Sequence, residues 1–389
     1  MKLYSYKVRL YPNQSQKDFL CKQFGCCRFV YNKMLDLKIS TFKNEGKRLS
    51  KFDLIKQLTP LKRMDEFKFL NEVSHAPLMQ AVSNVDRAFI NFFKHQTKYP
   101  KFKSRKSRQS FTYYYPRIKD NRYLWLPKHK SWIKFRDGRT IFGNLKSVTI
   151  SKDCDGTYWA SILSEQPVNV PEPSKELSKT VGIDLGLKDF AILSYGTKIP
   201  NPRVFEKHLF KIKKLQKHLS RKHKGSKRYE KTRLKLAKLH KHIQYLRNEF
   251  IHSLVNRLLR ENQTICLENL NVKQMMHKSK LAKSISSVAW TQFVHTLKYK
   301  AEWTGKHVIQ IEKYALTTRK CCSCGTIVDK IPLNVREWTC PKCSVHHDRD
   351  VNAARNILLQ AVNLALGGVC PVHSWSDITE LDSFGVQVV

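Results

Sequence analysis

Three acidic side chains stand where this chain delivers a carboxylate rather than merely solvating one. Asp184 ends the apolar run Val181-Gly182-Ile183, and Gly186 leaves space beside it. Glu268 follows the apolar run Ile265-Cys266-Leu267. Asp350 opens an apolar helical pattern through Val351, Ala354, Ile357 and Leu358, where a carboxylate also suits the positive end of a helix. Singly, each has a plainer reading as a turn or helix cap, and Asp348 competes with Asp350 as cap or ligand. Together they form the donor set for a hard, oxygen-ligated cation such as Mg²⁺. Two such ions would activate a water and stabilise the leaving oxygen in an in-line attack on a phosphodiester, with no histidine base required.

A second constellation lies just before Asp350. Cys321-x-x-Cys324 and Cys340-x-x-Cys343 are separated by fifteen residues, the spacing of a structural Zn²⁺ site. Each pair turns two thiolates inward from a tight knuckle, and Gly325 and Pro341 suit those turns. Cys322 is out of register with Cys324, while His346 and His347 lie close enough to stand in for one ligand. Four thiolates leave no open position for water, so the expected role is a fold staple. The remaining cysteines (Cys21, Cys26, Cys27, Cys154, Cys266, Cys322 and Cys370) read as small buried hydrophobes or free thiols.

The charge balance says what such a site would act on. The 389 residues carry 72 Lys and Arg against 31 Asp and Glu, a formal charge of +41 spread along the chain. A protein this positive repels itself unless a polyanion neutralises it, and nucleic acid is the simplest one. Apolar residues make up 41%, too many for a disordered chain. The segment Met1–Lys7 lacks the apolar core of a signal peptide, and no apolar run is long enough to span a bilayer. These features predict a cytoplasmic, membrane-free protein whose cysteines stay mostly reduced.

The elements that must position these groups follow from periodicity. Tyr4, Tyr6, Val8 and Leu10 alternate as a half-buried strand, and Pro12-Asn13 stops it and can cap a helix. Phe19, Leu20, Phe24, Cys27, Tyr31 and Leu35 then recur at helical spacing, as do Leu78, Val82, Val85, Phe89 and Phe93. Lys101, Lys103, Arg105, Lys106 and Arg108 precede Phe111, Tyr113, Tyr114 and Tyr115. That interleaving suits backbone contact with base stacking, or else a basic loop leading into an aromatic edge strand. Short strands are expected at 123–126, 132–135, 148–151 and 158–163, with turns at Asp137-Gly138 and Asp155-Gly156. A strand, a helical insertion and more strands predict a small β-barrel interrupted by a helical domain. Pro167, Pro171 and Pro173 read as a linker, and a new domain starts near residue 178. Its strands are expected at 181–184, 190–194, 264–267 and 307–311, with a helix over 288–305. Between Arg203 and Arg247 there are seventeen Lys or Arg and only Glu206 and Glu230 as acids, which predicts a helical hairpin broken at Gly225-Ser226 with one face on phosphate.

These motifs, in this order, resemble TnpB, the accessory protein of bacterial insertion sequences, and the compact type V CRISPR effectors related to it. The likeness rests on Gly182-Ile183-Asp184-Leu185-Gly186, Leu267-Glu268-Asn269-Leu270, the cysteine pairs, and Asp350-x-Asn352-Ala353-Ala354-x-Asn356-Ile357. Lys7–Pro12, Gly25–Asn32 and Asp86–Phe93 extend it through residues 3–365, although Ser344 stands where the family often has Gly. The resemblance implies a multidomain α+β protein. Residues 1–14 and 108–175 would form a wedge-type β-barrel and 15–107 an inserted helical recognition domain. Residues 176–315 and 346–365 would form a RuvC-like nuclease domain of RNase H fold, and 316–345 an inserted zinc ribbon, ahead of a flexible tail at 366–389. It implies an RNA-guided DNA endonuclease using about two Mg²⁺ at Asp184, Glu268 and Asp350 and a structural Zn²⁺. Its partners would be a guide RNA from the transposon end and double-stranded target DNA beside a short protein-read motif. Such a protein would sit on the bacterial nucleoid when bound to DNA. Competing readings are a nuclease-inactive RNA-guided regulator, a protein-guided transposase accessory factor, and a basic zinc-ribbon protein with no chemistry.

Overall fold

A computed structural model describes residues 2–365 apart from 137–139, 168–178, 279–280, 314, 330 and 333. The expected Asp137-Gly138 turn, most of the Pro167–Pro173 linker and the tail at 366–389 therefore lie outside the described residues. The chain divides into two compact units, Met1–Val168 and Asn169–Val389.

In the first unit, strand β1 (Lys2–Tyr11) leads into helix α1 (Gln14–Glu45). Asn13 caps that helix: its Oδ1 accepts from Gln16 N at 2.9 Å and its N donates to Gln16 Oε1 at 3.1 Å. Such a box contributes about 1 kcal/mol. Helices α2 (Lys51–Lys56) and α3 (Leu58–Arg63) and a 3-10 stretch at Asp65–Glu72 follow, inside the segment expected to be helical, though periodicity gave none of them separate bounds. Helix α4 (His75–Phe93) buries Leu78, Val82, Val85 and Phe89 as expected, but leaves Phe93 exposed. Strands β2 (Gln109–Tyr114), β3 (Ile118–Lys119), β4 (Tyr123–Leu126), β5 (Ser131–Arg136), β6 (Asn144–Lys152) and β7 (Tyr158–Gln166) complete the unit.

Their order is β2-β6-β7-β1-β5-β4-β3, so the ladder stays open between β2 and β3. A closed barrel was expected; the sheet is a half-barrel. Its two edge strands are joined by Tyr115-Pro116-Arg117 alone, a span that cannot exceed about 14 Å. The edges therefore curl towards each other, and Pro116 in the corner has no N–H to continue a ladder. One buried cluster runs from Val8 and Leu10 through the helices to Ile150 and Ile162.

The second unit is built on a five-stranded sheet, β10-β9-β8-β11-β12. Strands β8 (Thr180–Asp184), β9 (Asp189–Leu193) and β10 (Lys198–Pro200) form an antiparallel meander. Helices α5 (Val204–Ser220) and α6 (Lys227–Glu261) form the basic hairpin, with a small core of Ile212, Leu239 and Ile243. Strand β11 (Thr264–Leu267) returns parallel to β8. Helices α7 (Val272–Lys278), α8 (Ala282–Val288) and α9 (Trp290–Thr304) precede β12 (His307–Gln310), which is parallel to β11. A small ladder, β13 (Glu337–Thr339) with β14 (His346–Asp348), leads into helix α10 (Arg349–Ala365).

The sheet is covered on both faces. Val181, Ile183, Ile265 and Leu267 pack with the lower half of α6 and with α9. Cys266 faces the other way, with Ile357 and Leu358 of α10 and Cys322. This double burial explains why β8 and β11 read as continuous apolar runs.

Candidate active site

Register decides where the carboxylates emerge. Strands β8 and β11 pair Cys266 with Gly182 and Leu267 with Ile183. One residue further on, Asp184 and Glu268 stand at the ends of neighbouring parallel strands. Side chains alternate along a strand, so both acids share the face of Cys266 and Gly182, the face that α10 covers.

The glycine sets how closely α10 approaches. A Cβ on Gly182 would lie 2.1 Å from Ala354 O and 2.9 Å from Leu358 N, so only a glycine admits the helix. From that contact, two residues along β8 reach Asp184, about 6.6 Å away, and four residues back along α10 reach Asp350, about 6 Å away. The two strides match and bring Asp350 towards Asp184. Electrostatics agree: burial pushes the Asp184 carboxyl up to about 7, with the charges of Glu268 and then Asp350 adding to the rise.

Each of the other two acids is held by neighbours. Glu268 Oε1 accepts from Thr317 Oγ1 at 2.6 Å. Asp350 Oδ2 accepts from Arg336 at 3.1 Å, and its Oδ1 from Arg349 Nη2 at 3.2 Å. Asp348 takes the capping role: its Oδ1 accepts from Asp350 N and Val351 N, both at 3.0 Å, and its other oxygen pairs with Lys198. Of the two acids in Asp348-Arg349-Asp350, the cap therefore falls to Asp348 and not to Asp350. Beside Glu268 opens a cleft of about 590 Å³, lined among others by Leu187, Asn269, Gln274, Met275 and Glu312.

The four cysteines gather more tightly. Their sulfurs all lie within 4.8 Å, with Cys321–Cys343 at 3.7 Å and Cys324–Cys340 at 3.6 Å. A tetrahedron with Zn–S arms of about 2.3 Å has edges of about 3.8 Å, so the cage fits zinc. Both knuckles use one turn: Gly325 N donates to Cys321 O and Ser344 N to Cys340 O, each at 2.9 Å. Gly325 has φ +74° and Ser344 φ +55°, the left-handed region where glycine is at ease and serine is strained. Neither histidine replaces a thiolate. His347 is buried with Nε2 3.1 Å from Cys321 Sγ, an outer partner, and His346 lies exposed against Thr339 and Glu337. Among the described residues this is the one group of three or more Cys, His, Asp or Glu gathered as a metal cage. The carboxylates are less converged, with Asp350 held by guanidinium groups and Glu268 by a hydroxyl.

The residues singled out in the first unit divide. Tyr113 is 5% exposed, its hydroxyl 3.0 Å from Ser74 Oγ, so its ring has no open face for a base and its place on the nucleic-acid surface is withdrawn. Strand alternation puts it inward with Phe111 and turns Tyr114 outward. Lys103 is partly buried over the Tyr31 ring at 3.8 Å. Lys101, Arg105, Lys106 and Arg108 remain at the surface or partly so.

Sequence periodicity could not find Thr317 or Arg336, because their partners Glu268 and Asp350 are distant in the chain; Arg349 adjoins Asp350 in sequence, but nothing in the pattern marks it as that carboxylate's partner. Asp348 was visible as a cap candidate two residues before Asp350.

Comparison with known proteins adds a family. The model described as Probable transposase matches residues 162–279, the Cas12f1-like TNB domain residues 290–357, and a helix-turn-helix domain residues 1–47. In the structure that last segment is a strand and one long helix. A Streptomyces pristinaespiralis protein, provisionally named as an RNA-guided DNA endonuclease, is 40% identical over 364 residues, covering 91% of this chain and 88% of its own length. InsQ of Escherichia coli K12, provisionally named likewise, is 30% identical over 377 residues, 92% of each chain. The cryo-EM structure of a Cas12f1-sgRNA-target DNA complex aligns with a TM-score of 0.56 at 13% identity, over 88% of this chain and 83% of that one, a likeness of fold.

Proposed function

We propose that this chain, which belongs to the TnpB family, is an RNA-guided DNA endonuclease of a transposable element. In this reading Asp184, Glu268 and Asp350 form its cutting centre. The supporting observation is the α10–β8 contact at Gly182, which brings carboxylates from three distant segments to one end of one sheet face. The acids are oxygen donors, and the Asp184 carboxyl is raised by burial first and by the charges of Glu268 and Asp350 second, a setting a hard cation such as Mg²⁺ would relieve. Bound there, Mg²⁺ would activate a water and stabilise the leaving oxygen.

The chain's own part is to hold that geometry. Asp184, Glu268 and Asp350 would hold the cation, with the Thr317 hydroxyl on Glu268 and with Asp350 turned from its arginine partners. Arg336, half-exposed, would then be available to a phosphate. The domain names follow from the same reading. Residues 1–14 and 108–175, which include the half-barrel strands, would be the wedge, 15–107 the recognition domain, 176–315 and 346–365 the RuvC-like domain, and 316–345 the zinc ribbon. The basic hairpin α5–α6 and the surface around Lys101, Arg105, Lys106, Arg108 and Tyr114 would carry phosphate contacts. The guide would come from the transposon end, and base pairing would choose the target.

The test is co-expression with the flanking locus, followed by cleavage in Mg²⁺ of a plasmid library carrying a guide-matched target beside random bases. Cutting that requires both the match and a fixed adjacent motif supports the reading. Bound RNA without cutting would replace it with a guided regulator. Cutting without RNA would replace it with a protein-guided nuclease.

A further inference from the structure

Helix α10 carries two amides with no part in the chemistry, Asn352 and Asn356, each 1% exposed. Asn352 Nδ2 donates to Lys320 O at 2.8 Å, and its Oδ1 accepts from Cys322 N at 2.9 Å. Asn356 Nδ2 donates to Lys320 O at 2.6 Å and to Thr317 O at 2.8 Å. The two amides clip residues 317–322, which run into the first zinc knuckle, along the helix whose first turn holds Asp350.

At the start of that clipped segment, Thr317 is 4% exposed and turns its hydroxyl onto Glu268. The separation of Oγ1 and Oε1, 2.6 Å, is that of a charge-assisted O–H···O⁻ bond. Thr317 is held on both sides of its side chain, its N donating to Ala315 O at 2.9 Å and its O accepting from Asn356. The donor is therefore fixed before Glu268 meets it. A glutamate at a strand end has three rotatable bonds. Tying Oε1 restricts those rotations and leaves Oε2 to act as a donor.

We propose that Thr317 is a positioning residue for Glu268, and that through it the backbone of the first zinc knuckle is built into the carboxylate centre. This rests on Glu268 being a metal ligand. Hydroxyl partners of ligating carboxylates typically change metal affinity by about 10- to 100-fold when removed. Asn352 and Asn356 act one step further out, by fixing Thr317.

The experiment compares Thr317→Val, which keeps the shape and removes the donor, with Thr317→Ser, which keeps the donor. Mn²⁺ binding to the full chain, with its bound RNA, is followed by electron paramagnetic resonance. Zinc content, melting temperature and the Mg²⁺ concentration for half-maximal cleavage are measured on the same samples. Thr317→Val should weaken Mn²⁺ binding and raise the Mg²⁺ requirement roughly 10-fold with zinc content unchanged, and Thr317→Ser should stay within about 3-fold of the parent. Unchanged Mn²⁺ affinity in Thr317→Val, or a Thr317→Ser variant as weak as Thr317→Val, would overturn the proposal. Should Thr317→Val lose zinc, Thr317→Ala carries the same comparison. Glu268→Gln separates the two levels: if it also leaves Mn²⁺ affinity unchanged, the ligand assignment itself fails and takes the proposal with it.

Discussion

The four cysteines and the three carboxylates lie in the same compact unit and are built in opposite ways. The cysteines come from two knuckles within 23 residues, each closed by its own backbone turn, and their sulfurs already stand at zinc spacing. The carboxylates come from residues 184, 268 and 350, and only the sheet register and the glycine contact bring them near one another. One centre is local and saturated. The other is long-range, partly open and electrostatically uneasy, with Asp184 pushed up to about 7 by burial and its neighbours. A staple must be satisfied at rest. The carboxylates, on the proposed reading, would stay short of charge balance until a cation and substrate arrive.

Asp184→Ala should produce the largest effect. Loss of cleavage by about 10³-fold or more is expected, because metal stabilisation of the transition state is worth several kcal/mol and each ~1.4 kcal/mol is tenfold. RNA co-purification should persist. If Asp184→Ala also abolished RNA binding, the contrast between chemistry and scaffold would fail. Cys324→Ser should act the other way round. Zinc analysis should show the metal gone and calorimetry a lower Tm, with activity falling through the fold. A variant with parental zinc content and Tm would show that the cage does not use Cys324.

A third expectation concerns pH. In the metal-free protein the folded Asp184 binds its proton up to about pH 7, whereas in the unfolded chain it releases it near the ordinary carboxylate value of about 4. The folded state thus holds the extra proton between those limits. Stability from this group is present below about pH 4 and is lost as pH rises to 7. Asp184→Asn should raise the metal-free Tm at pH 8 and leave it nearly unchanged at pH 4. Mg²⁺ affinity of the parent should climb with pH up to about 7, since the ligand must shed its proton. An Asp184→Asn variant with the same Tm increment at both pH values would break this account. The smallest effect should follow Ser344→Gly, which relieves a left-handed serine. A gain of about 0.5–1 kcal/mol, or roughly 1–4 °C in Tm, is expected, with cleavage unaltered.

Much of this layout is legible in the chain. Apolar runs ending in Asp184 and Glu268 announce buried strands, and the Cys-x-x-Cys pairs announce a cage, because each signal is local. Alternation also carried enough information to place Tyr113 inward with Phe111. The stacking reading counted aromatics without assigning faces, and that is why it failed for Tyr113. The helices at 51–63 fall in a stretch expected to be helical but had no bounds of their own, because six residues hold too few turns for a 3.6-residue pattern to show. Whether β2 and β3 close a barrel depends on a three-residue corner, not on either strand's sequence. Arg336 on Asp350 and the hydroxyl on Glu268 are products of tertiary register, which single-chain periodicity does not encode.

The half-barrel has a consequence in time as well as in space. Strand β1 pairs along nearly its whole length with β7, Lys2 opposite Gln166. During synthesis the first strand must wait unpaired until its partner has left the ribosome, about 8–30 s later at about 5–20 residues per second. Helices α1 to α4 can form locally within that interval, while β1 offers a bare edge of backbone donors and acceptors. Tyr4, Tyr6 and Val8 on one side of β1, with Lys7 and Arg9 on the other, spread charge along that waiting edge. A nascent chain stalled before residue 158 would hold its first strand with no partner from β7, a state exposed to chaperone capture or aggregation.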